Sequence, residues 1–428
     1  MASDTKINLR GQMIYQVFPR QYSKTHDFKG VTADMSRIKA LGADILYLLP
    51  IHPIGQINRK GSVGSPYAIK NYRGVNPDYG TLDDFKELLQ KAHQHGLKVM
   101  IDVVFNHTSP DSHLAITHPE WFYRDENLQP IAKNPDWWDI VDLDFTHKDL
   151  WHELIDTLCY WAKLGVDGYR CDVASLLPKS FWLETRKALK SINPDFLLLA
   201  ESIDLNYIKW MRNNGFNALT DSECYEAFDI LYDYDIFYLY QAYLRGKGSL
   251  NAWLEALRQQ DARYPVNYLK AHALDNHDQE RAAKFFKGSK LINLVALNSF
   301  LRGVTFIYAG DEACNTYTPT LFEIEEVDFT TLNQNHIADL IAKMSVIKKD
   351  NLCIEGAYDI FLEESEVAHI EYWNKHNRMI GLFNLSDKKV ELSLKNVDGE
   401  FSNLINDEKI IVNNGNIDLE DKPIIIKI

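Results

Sequence analysis

The chain contains few cysteines and no long hydrophobic run. Its five cysteines are scattered and form no CxxC pair, so they indicate no disulfide framework and favour a reducing compartment. No apolar run approaches the ~20 residues that span a bilayer, and the opening MASDTKINLRGQ lacks the apolar core of a signal peptide. We therefore expect a cytoplasmic protein, with a secreted protein whose signal is absent from this sequence as the alternative.

Basic residues are outnumbered by acidic ones. Lys and Arg total 46 against 60 Asp and Glu, which gives a net charge of −14 and a pI near 5.5. A nucleic-acid backbone or an anionic membrane calls for a basic face, so we expect neither as a partner. The 428 residues are 46% hydrophobic, and this length favours one large domain with a smaller one over three ordinary domains.

The first 350 residues repeat one unit, in which an amphipathic segment and a glycine precede a short apolar run. The apolar spacing predicts helices over 32–41, 81–95 and 147–164, with Thr81 as the N-cap of the second. A glycine after a helix, followed by an apolar strand, is typical of a loop that enters a buried parallel sheet. The eight predicted strands are 13–19, 43–50, 97–105, 166–173, 195–201, 216–221, 268–275 and 304–310. Eight such units without a dinucleotide fingerprint favour a (β/α)₈ TIM barrel over a doubly wound sheet.

Two stretches depart from this repeat. Residues 107–146 form a long aromatic segment rich in Pro and Asp, which predicts a functional insertion after the third strand. After about residue 351, short alternating runs predict a small antiparallel β domain. We therefore predict a barrel over 1–350, interrupted by the insertion 107–146, and a C-terminal β domain over 351–428.

Polar and charged side chains gather where the predicted strands end. They are Asp102, Asn106 and His107 after the third strand, Arg170 and Asp172 after the fourth, Glu201 after the fifth, and His277 and Asp278 after the seventh. In a barrel these strand ends meet at one mouth, where chemistry is placed. Each acid alone could serve only an ion pair or a loop, whereas acids on several strands predict an active site. Arg170 and Asp172 face the same side of their strand, so we expect Arg170 to hold a neighbouring carboxylate ionised.

A pair of carboxylates is the chemistry of glycosidic bond cleavage. One attacks the sugar while the other protonates the leaving oxygen. A metal cluster could use the same residue types, but the sequence has neither HExxH nor HxxEH spacing.

Six short segments carry a family resemblance over nearly the whole chain. They are SPYAIKNYRGVNPDYGT (65–81), DVVFNH (102–107), GYRCDVAS (168–175), LLLAES (197–202), LDNHD (274–278) and GVTFIYAGDE (303–312). In this order they resemble the conserved segments of the α-amylase family of glycoside hydrolases (family thirteen). The resemblance implies that the insertion 107–146 is a short domain B and that the C-terminal β region is domain C.

The resemblance also implies roles for the residues at the barrel mouth. It implies a retaining mechanism with Asp172 as nucleophile, Glu201 as general acid/base and Asp278 as the stabiliser of the transition state. The residues expected to bind the substrate are Tyr67, Asp102, His107, Arg170 and His277. A purely structural role is the alternative for Asp102.

No cofactor is required by this mechanism, but the resemblance raises a calcium ion as a further expectation. In calcium-containing members the ligands match Asn106, Asp142 and the carbonyl of Leu176, and a hard cation accepts oxygen ligands. The alternative is that Asn106 only hydrogen-bonds domain B.

Two departures bear on the substrate. Many α-amylases have a Lys-His pair that contacts the reducing-side sugars, where this chain has Ser175 and Leu176, so those contacts must differ. The acid that often follows the stacking tyrosine in exo-acting α-glucosidases is Ala68 here, which argues against a strict exo-glucosidase.

The predicted substrate is an α-glucan or malto-oligosaccharide, cleaved at α-1,4 bonds, with α-1,6 bonds as a further candidate. Retaining hydrolysis is our main prediction. The alternative is a transglycosylase (glucanotransferase) of the same family, which uses the same residues. A non-catalytic glucan-binding relative is a third reading, disfavoured because all three carboxylates are present.

Overall fold

Eight parallel strands close into a barrel in the computed structural model, which describes residues 2–332, 334, 336–386 and 388–428. The strands as far as residue 308 are β1 (Met13–Val17), β2 (Ile45–Leu48), β3 (Lys98–Val103), β4 (His107–Thr108), β5 (Val141–Asp142), β6 (Gly168–Cys171), β7 (Leu197–Ala200), β8 (Ile230–Tyr232), β9 (Lys270–Ala273) and β10 (Val304–Tyr308). All except β4 and β5 belong to the barrel, where β10 pairs with β1 to close the ring. Every residue of the barrel strands except Lys98 is buried, which explains their continuous apolar runs. The predicted (β/α)₈ barrel is confirmed.

Helices follow most of the barrel strands, and others lie in the insertion or after the last barrel strand. They are α1 (Pro19–Tyr22), α2 (Phe28–Ala33), α3 (Met35–Ala40), α4 (Leu82–Gln94), α5 (His113–Thr117), α6 (Lys148–Leu164), α7 (Lys179–Ile192), α8 (Leu205–Asn213), α9 (Asp221–Cys224), α10 (Phe237–Leu244), α11 (Leu250–Arg263), α12 (Gly288–Phe300), α13 (Ile337–Ile347) and α14 (Asn351–Glu355). Single 3₁₀ turns lie at Ile7–Gly11, Pro119–Trp121, Ala174–Leu176, Ala282–Lys284, Asp311–Ala313 and Glu364–Glu366.

Local capping chemistry sets several helix ends as the sequence predicts. Thr81 caps α4 in a reciprocal capping box with Asp84, and α6 ends at Gly165, whose φ of 111° lies in the left-handed region. The predicted helix over 32–41 is instead divided between α2 and α3. Asp34 stands between them and accepts hydrogen bonds from the Tyr22 hydroxyl at 2.5 Å and Arg37 Nε at 2.7 Å.

The sixth barrel strand is not the segment that the sequence predicts. Residues 216–221 lie outside the barrel, and the sixth position is taken by β8. Thr220 and Glu223 form a capping box, with the Thr220 backbone N–H donating to Glu223 Oε2 at 2.8 Å, and this starts α9 directly after the short apolar run. The glycine before that run ends α8 without leading into a strand, so the prediction of 216–221 is wrong.

The insertion after β3 contains the antiparallel pair β4–β5, in which His107 is the partner of Asp142. The C-terminal strands are β11 (Ala357–Glu363), β12 (Val367–Trp373), β13 (Arg378–Asn384), β14 (Val390–Ser393), β15 (Gly399–Ser402), β16 (Lys409–Val412), β17 (Asn416–Leu419) and β18 (Ile424–Lys427). They form a four-stranded antiparallel sheet, β11-β12-β13-β18, and the pairs β14–β17 and β15–β16. The predicted antiparallel β architecture of this region is confirmed.

The two faces of the four-stranded sheet contact different cores. On β13, Met379 and Phe383 pack with the barrel core, whereas Ile380 and Leu382 join a second core beneath the smaller sheets. This is the period-two alternation of a strand that is covered on both faces. Within the described residues, no helix has the length and apolarity that a bilayer crossing requires.

Candidate active site

The carboxyl ends of β3, β6, β7 and β9 bring the predicted site residues to one cleft. Arg170 lies within β6 and Asp172 directly follows it, while Glu201 directly follows β7. Asp278 lies in the loop after β9. Because parallel strands end on the same side of a barrel, side chains far apart in sequence meet here.

Arg170 is the centre of this cleft and is fully buried. Its Nη1 donates to Asp172 Oδ1 at 2.8 Å, and its Nη2 lies 3.0 Å from Glu201 Oε2. The backbone N–H of Val173 donates to the same Glu201 oxygen at 2.7 Å. Val173 has a φ of 36° and a ψ of 43°, an unusual conformation for a β-branched residue, and this turn aims its N–H at Glu201. One guanidinium therefore holds both the predicted nucleophile and the predicted acid/base.

Asp102 lies below the cleft rather than in it. Its side chain is 0% exposed, and its oxygens accept hydrogen bonds from Arg170 Nη1 at 3.0 and 3.1 Å. Oδ2 also accepts from the hydroxyls of Tyr47 at 2.7 Å and Tyr67 at 2.9 Å. These contacts favour the structural alternative for Asp102, as the support of Arg170 and Tyr67.

Tyr67 and His277 form one wall of the cleft. Their rings are stacked with centroids 5.6 Å apart, and the Tyr67 hydroxyl lies 2.6 Å from His277 Nε2. The same nitrogen lies 3.1 Å from Asp278 Oδ2, and the Asp278 side chain is 41% exposed. Asp278 thus stands at the open mouth, where a sugar hydroxyl can reach it.

His107 forms the opposite wall, with its Nε2 4.0 Å from Asp172 Oδ2. Burial lowers the pKa of His107 to about 3, with the positive charges of Lys133 and Lys60 adding to the effect. Burial and the charge of Arg170 likewise lower the pKa of His277 to about 3. Both rings are therefore neutral near pH 7 and add no charge to the cleft. The His277 side chain is fully buried, and its two nitrogens already contact Gln16, Tyr67 and Asp278.

The pKa of Asp172 differs from our expectation. Burial and the negative charge of Glu201 raise the pKa of Asp172 well above its ordinary value, and Arg170 opposes this shift without cancelling it. The guanidinium is shared among Asp172, Glu201 and Asp102, so its single positive charge cannot balance three carboxylates. Arg170 lowers the pKa of Asp172 as expected, but burial and the charge of Glu201 outweigh it, so the net shift of the Asp172 pKa is upward.

The residues predicted as calcium ligands are engaged otherwise. Asn106 Nδ2 donates to Asp142 Oδ1 at 3.2 Å, whereas the other Asp142 oxygen accepts from the Lys133 backbone N–H at 3.0 Å and lies 3.7 Å from Lys133 Nζ. The Leu176 carbonyl accepts from Asn217 Nδ2 at 3.5 Å. Among the residues that the structure describes, no group of three or more His, Cys, Asp or Glu could hold a metal ion. A calcium ion takes about six to eight oxygen ligands. Asp142 is the one carboxylate among the three predicted ligands, so the calcium ion stays a prediction.

Glu201 opens onto a cavity of about 470 Å³ that sequence reasoning did not predict. Its lining includes Trp137, Tyr207, Tyr234, Phe237, Gln241 and Gln279. These residues come from domain B, α8, α10 and the loops after β8 and β9, so no single motif marks them. Ser175 and Leu176 are both buried. The aromatic composition of 107–146 indicated the segment that contains Trp137, but not Trp137 itself.

Comparison with known proteins identifies the family. The family model described as the catalytic domain of alpha amylase matches residues 16–138 and 135–352, and that of the bacterial alpha amylase C-terminal domain matches residues 360–426. An α-amylase from Lactobacillus plantarum, solved by crystallography, has 43% sequence identity to this chain. Its structure superimposes with a TM-score of 0.95, and the match covers 99% of this chain and 100% of that one. A maltogenic α-amylase from Thermotoga neapolitana is 31% identical, with a TM-score of 0.88 over 98% of this chain and 99% of that one.

Curated relatives with similar sequences are named as transferases rather than as amylases. An α-1,4-glucan:maltose-1-phosphate maltosyltransferase from Picrophilus torridus is 27% identical over 88% of this chain and 61% of the relative. The enzyme of the same name from Rhodospirillum rubrum is 30% identical over 84% of this chain and 54% of the relative. The chain thus spans little more than half the length of these curated relatives. Together with the barrel and the carboxylates at its mouth, the family-model matches show that the chain belongs to the α-amylase family of glycoside hydrolases.

Proposed function

We propose that this protein breaks α-glucosidic bonds in α-glucans or malto-oligosaccharides by double displacement, with retention of the α-configuration. The observation that carries the proposal is the guanidinium of Arg170, which holds Asp172 on Nη1 and Glu201 on Nη2. This arrangement brings a nucleophile and an acid/base to the same glycosidic bond, as retaining glycosidases require.

The contacts of each carboxylate assign roles to its two oxygens. Asp172 Oδ1 is held by Arg170, which leaves Oδ2 to attack the anomeric carbon. Glu201 Oε2 is held by Arg170 and Val173, which leaves Oε1 to carry the proton. In the first step the bond from Asp172 Oδ2 to the anomeric carbon forms and the glycosidic bond breaks. The proton of Glu201 moves to the leaving oxygen, giving a glycosyl-enzyme ester and a free sugar.

The second step reverses these movements. Glu201, now ionised, takes a proton from an incoming hydroxyl, whose oxygen attacks the anomeric carbon as the bond to Asp172 breaks. We expect Asp278 and His107 to bind hydroxyls of the sugar as its ring flattens toward the oxocarbenium-like state, while His277 positions Asp278 and Tyr67. Two inversions at the same carbon restore the α-configuration.

The incoming hydroxyl can belong to water or to a sugar. Transfer to a sugar is supported by the aromatic cavity beside Glu201 and by the relatives named as maltosyltransferases. Hydrolysis is supported by the similarity of the whole chain to solved α-amylases. We infer that a sugar bound in the cavity competes with water for the glycosyl-enzyme, so that transfer dominates when acceptor is abundant.

Product analysis tests this proposal. The full-length protein is incubated with amylose, pullulan, cyclodextrins and short maltodextrins, and with labelled maltose as acceptor at increasing concentration. Maltose 1-phosphate, the donor that the curated relatives' name states, is included as a separate donor. The expected result is label in elongated products that rises with acceptor concentration, with the α-anomer formed first as seen by proton NMR.

Two outcomes would count against parts of the proposal. A β-anomer as the first product contradicts double displacement. Release of reducing ends with no labelled elongation at any acceptor concentration leaves retaining hydrolysis and rejects transfer.

A further inference from the structure

A row of aromatic rings leads from the cleft to the exposed surface of α8. The His107 and Trp137 centroids lie 5.8 Å apart, and those of Trp137 and Tyr207 lie 6.2 Å apart. The last pair, Tyr207 and Trp210, is stacked with centroids 5.6 Å apart and ring planes 6° apart. The row therefore begins beside the predicted nucleophile and ends outside the cavity.

Helix α8 is fixed directly after the acid/base. Asp204, three residues beyond Glu201, caps the helix by accepting hydrogen bonds from the backbone N–H groups of Asn206 at 2.9 Å and Tyr207 at 3.1 Å. Asn134 Nδ2 of domain B donates to the Tyr207 hydroxyl at 3.3 Å. The cap fixes the backbone at Tyr207 and Asn134 contacts the end of its ring, so the ring is positioned before any ligand arrives.

The outer face of α8 exposes apolar surface that folding does not require. Ile208 and Met211 are buried and attach the helix to the barrel. Trp210, three residues after Tyr207 and on the same face, is 40% exposed. Exposed aromatic surface that continues a ligand cavity indicates a binding surface, and flat rings with parallel planes match the apolar faces of pyranose rings.

The direction of the row indicates which part of the glucan it meets. Glu201 protonates the oxygen of the leaving sugar, so the cavity onto which it opens holds the leaving chain, and by reversal the acceptor chain. We propose that Tyr207 and Trp210 form an outer platform that binds the leaving or acceptor chain beyond the cavity and selects for longer chains. This inference rests on the proposed function, because the platform acts on the sugar that Glu201 protonates.

The chain offers a matched control for the platform. Trp373, in the C-terminal sheet, is 38% exposed and lies on β12, outside the barrel. Trp210→Ala and Trp373→Ala therefore remove the same side chain at nearly the same exposure. Tyr207→Phe, which keeps the ring, and Tyr207→Ala, which removes it, separate stacking from the hydroxyl contact.

The experiment compares substrates that differ only in the leaving group. Malto-oligosaccharides labelled at the reducing end report which bond is cleaved, and α-maltosyl fluoride serves as the donor without a leaving sugar. We expect Trp210→Ala to lower kcat/KM for cleavages that release three or more glucose units, relative to maltosyl fluoride, by roughly threefold to tenfold, mostly through KM. Tyr207→Ala should act likewise, Tyr207→Phe, which keeps the ring but loses the Asn134 contact, should have a smaller effect, and Trp373→Ala should keep the ratio of the unaltered protein.

The outcomes distinguish the platform from the proposed function. If Trp210→Ala and Trp373→Ala give the same ratios, the platform does not bind glucan and this inference is wrong. If the unaltered protein turns over neither the oligosaccharides nor maltosyl fluoride, the proposed function fails and the inference falls with it. Thermal unfolding of each variant identifies any that has lost its fold, and the remaining Tyr207 or Trp210 variant then decides the result.

Discussion

At the scale of single residues, Arg170 connects the buried floor of the cleft to both catalytic candidates. Replacing it by methionine leaves Asp102 buried without its cation, and we expect a loss of about 3–5 kcal/mol in the free energy of unfolding. Urea denaturation measures this loss. Arg245→Met is the control, because Arg245 and Glu280 form a partly exposed pair, which contributes about 0–1 kcal/mol. Equal destabilisation of the two variants would contradict the role of Arg170.

The two catalytic candidates should respond differently to isosteric amides. Asp172→Asn removes the attacking oxygen, so turnover should fall by roughly a thousandfold or more while glucan binding and folding persist. Glu201→Gln should be severely impaired on glucans but recover part of its rate on α-maltosyl fluoride, because fluoride leaves without protonation. Steady-state kinetics and isothermal titration with maltotriose measure these effects. Near-normal turnover by Asp172→Asn would overturn the mechanism.

The raised pKa of Asp172 has a consequence for pH dependence. Asp172 must lose its proton to attack, and a raised pKa moves the acid limb of the rate profile to higher pH. The negative charge of Glu201 contributes to that shift, so Glu201→Gln should lower the pKa of Asp172 and move the acid limb to lower pH. The measurement is the pH profile of α-maltosyl fluoride turnover by both proteins. An acid limb that stays in place or moves upward would contradict this coupling.

At the scale of elements, the β4–β5 pair of domain B is held by Lys133 and Asn106 around Asp142. Burial raises the pKa of Asp142, and Lys133 opposes the shift. We expect Lys133→Met to lower the free energy of unfolding by about 1–3 kcal/mol in urea denaturation, since it leaves a buried carboxylate without its cation.

Exhaustive chelation of metal ions should leave the Tm and activity of the unaltered protein unchanged. A lowered Tm after chelation, restored by calcium, would show that the metal is required.

At the scale of the whole molecule, the C-terminal sheet shares the barrel core. The Tyr372 hydroxyl donates to the Phe300 carbonyl at 2.8 Å, and the Asn384 backbone N–H donates to Asn293 Oδ1 at 2.9 Å. A fragment that ends at Asp350 exposes this surface of α12, so we expect it to be less soluble and to unfold at a lower temperature. Light scattering measures the solubility of the fragment, and thermal unfolding measures its Tm. Both also test the domain boundary predicted near residue 351. A soluble fragment with unchanged Tm would contradict it.

Much of the fold could be predicted because its signals are local. Apolar runs buried on both faces mark β1, β2 and β3, and the capping box of Thr81 marks the start of α4. The prediction of the sixth strand failed because β8 is only three residues long and lies between two aspartates, whereas 216–221 follows a glycine, the signal that precedes other strands of the barrel. Which of two short apolar runs enters a barrel depends on the neighbouring strands, and that information is not local.

The candidate site likewise has features that the sequence predicts and features that only the tertiary structure shows. The sequence by itself determined which acids stand at strand ends, because strand ends are marked by local pattern, and so it identified Asp172, Glu201 and Asp278. Only the tertiary structure decided that Asp102 lies beneath the cleft and that Arg170 is shared among three carboxylates. It alone assembled the cavity beside Glu201 from Trp137, Tyr207 and residues of other elements. Burial and the sharing of charge depend on how segments pack, and no single segment of the chain contains them.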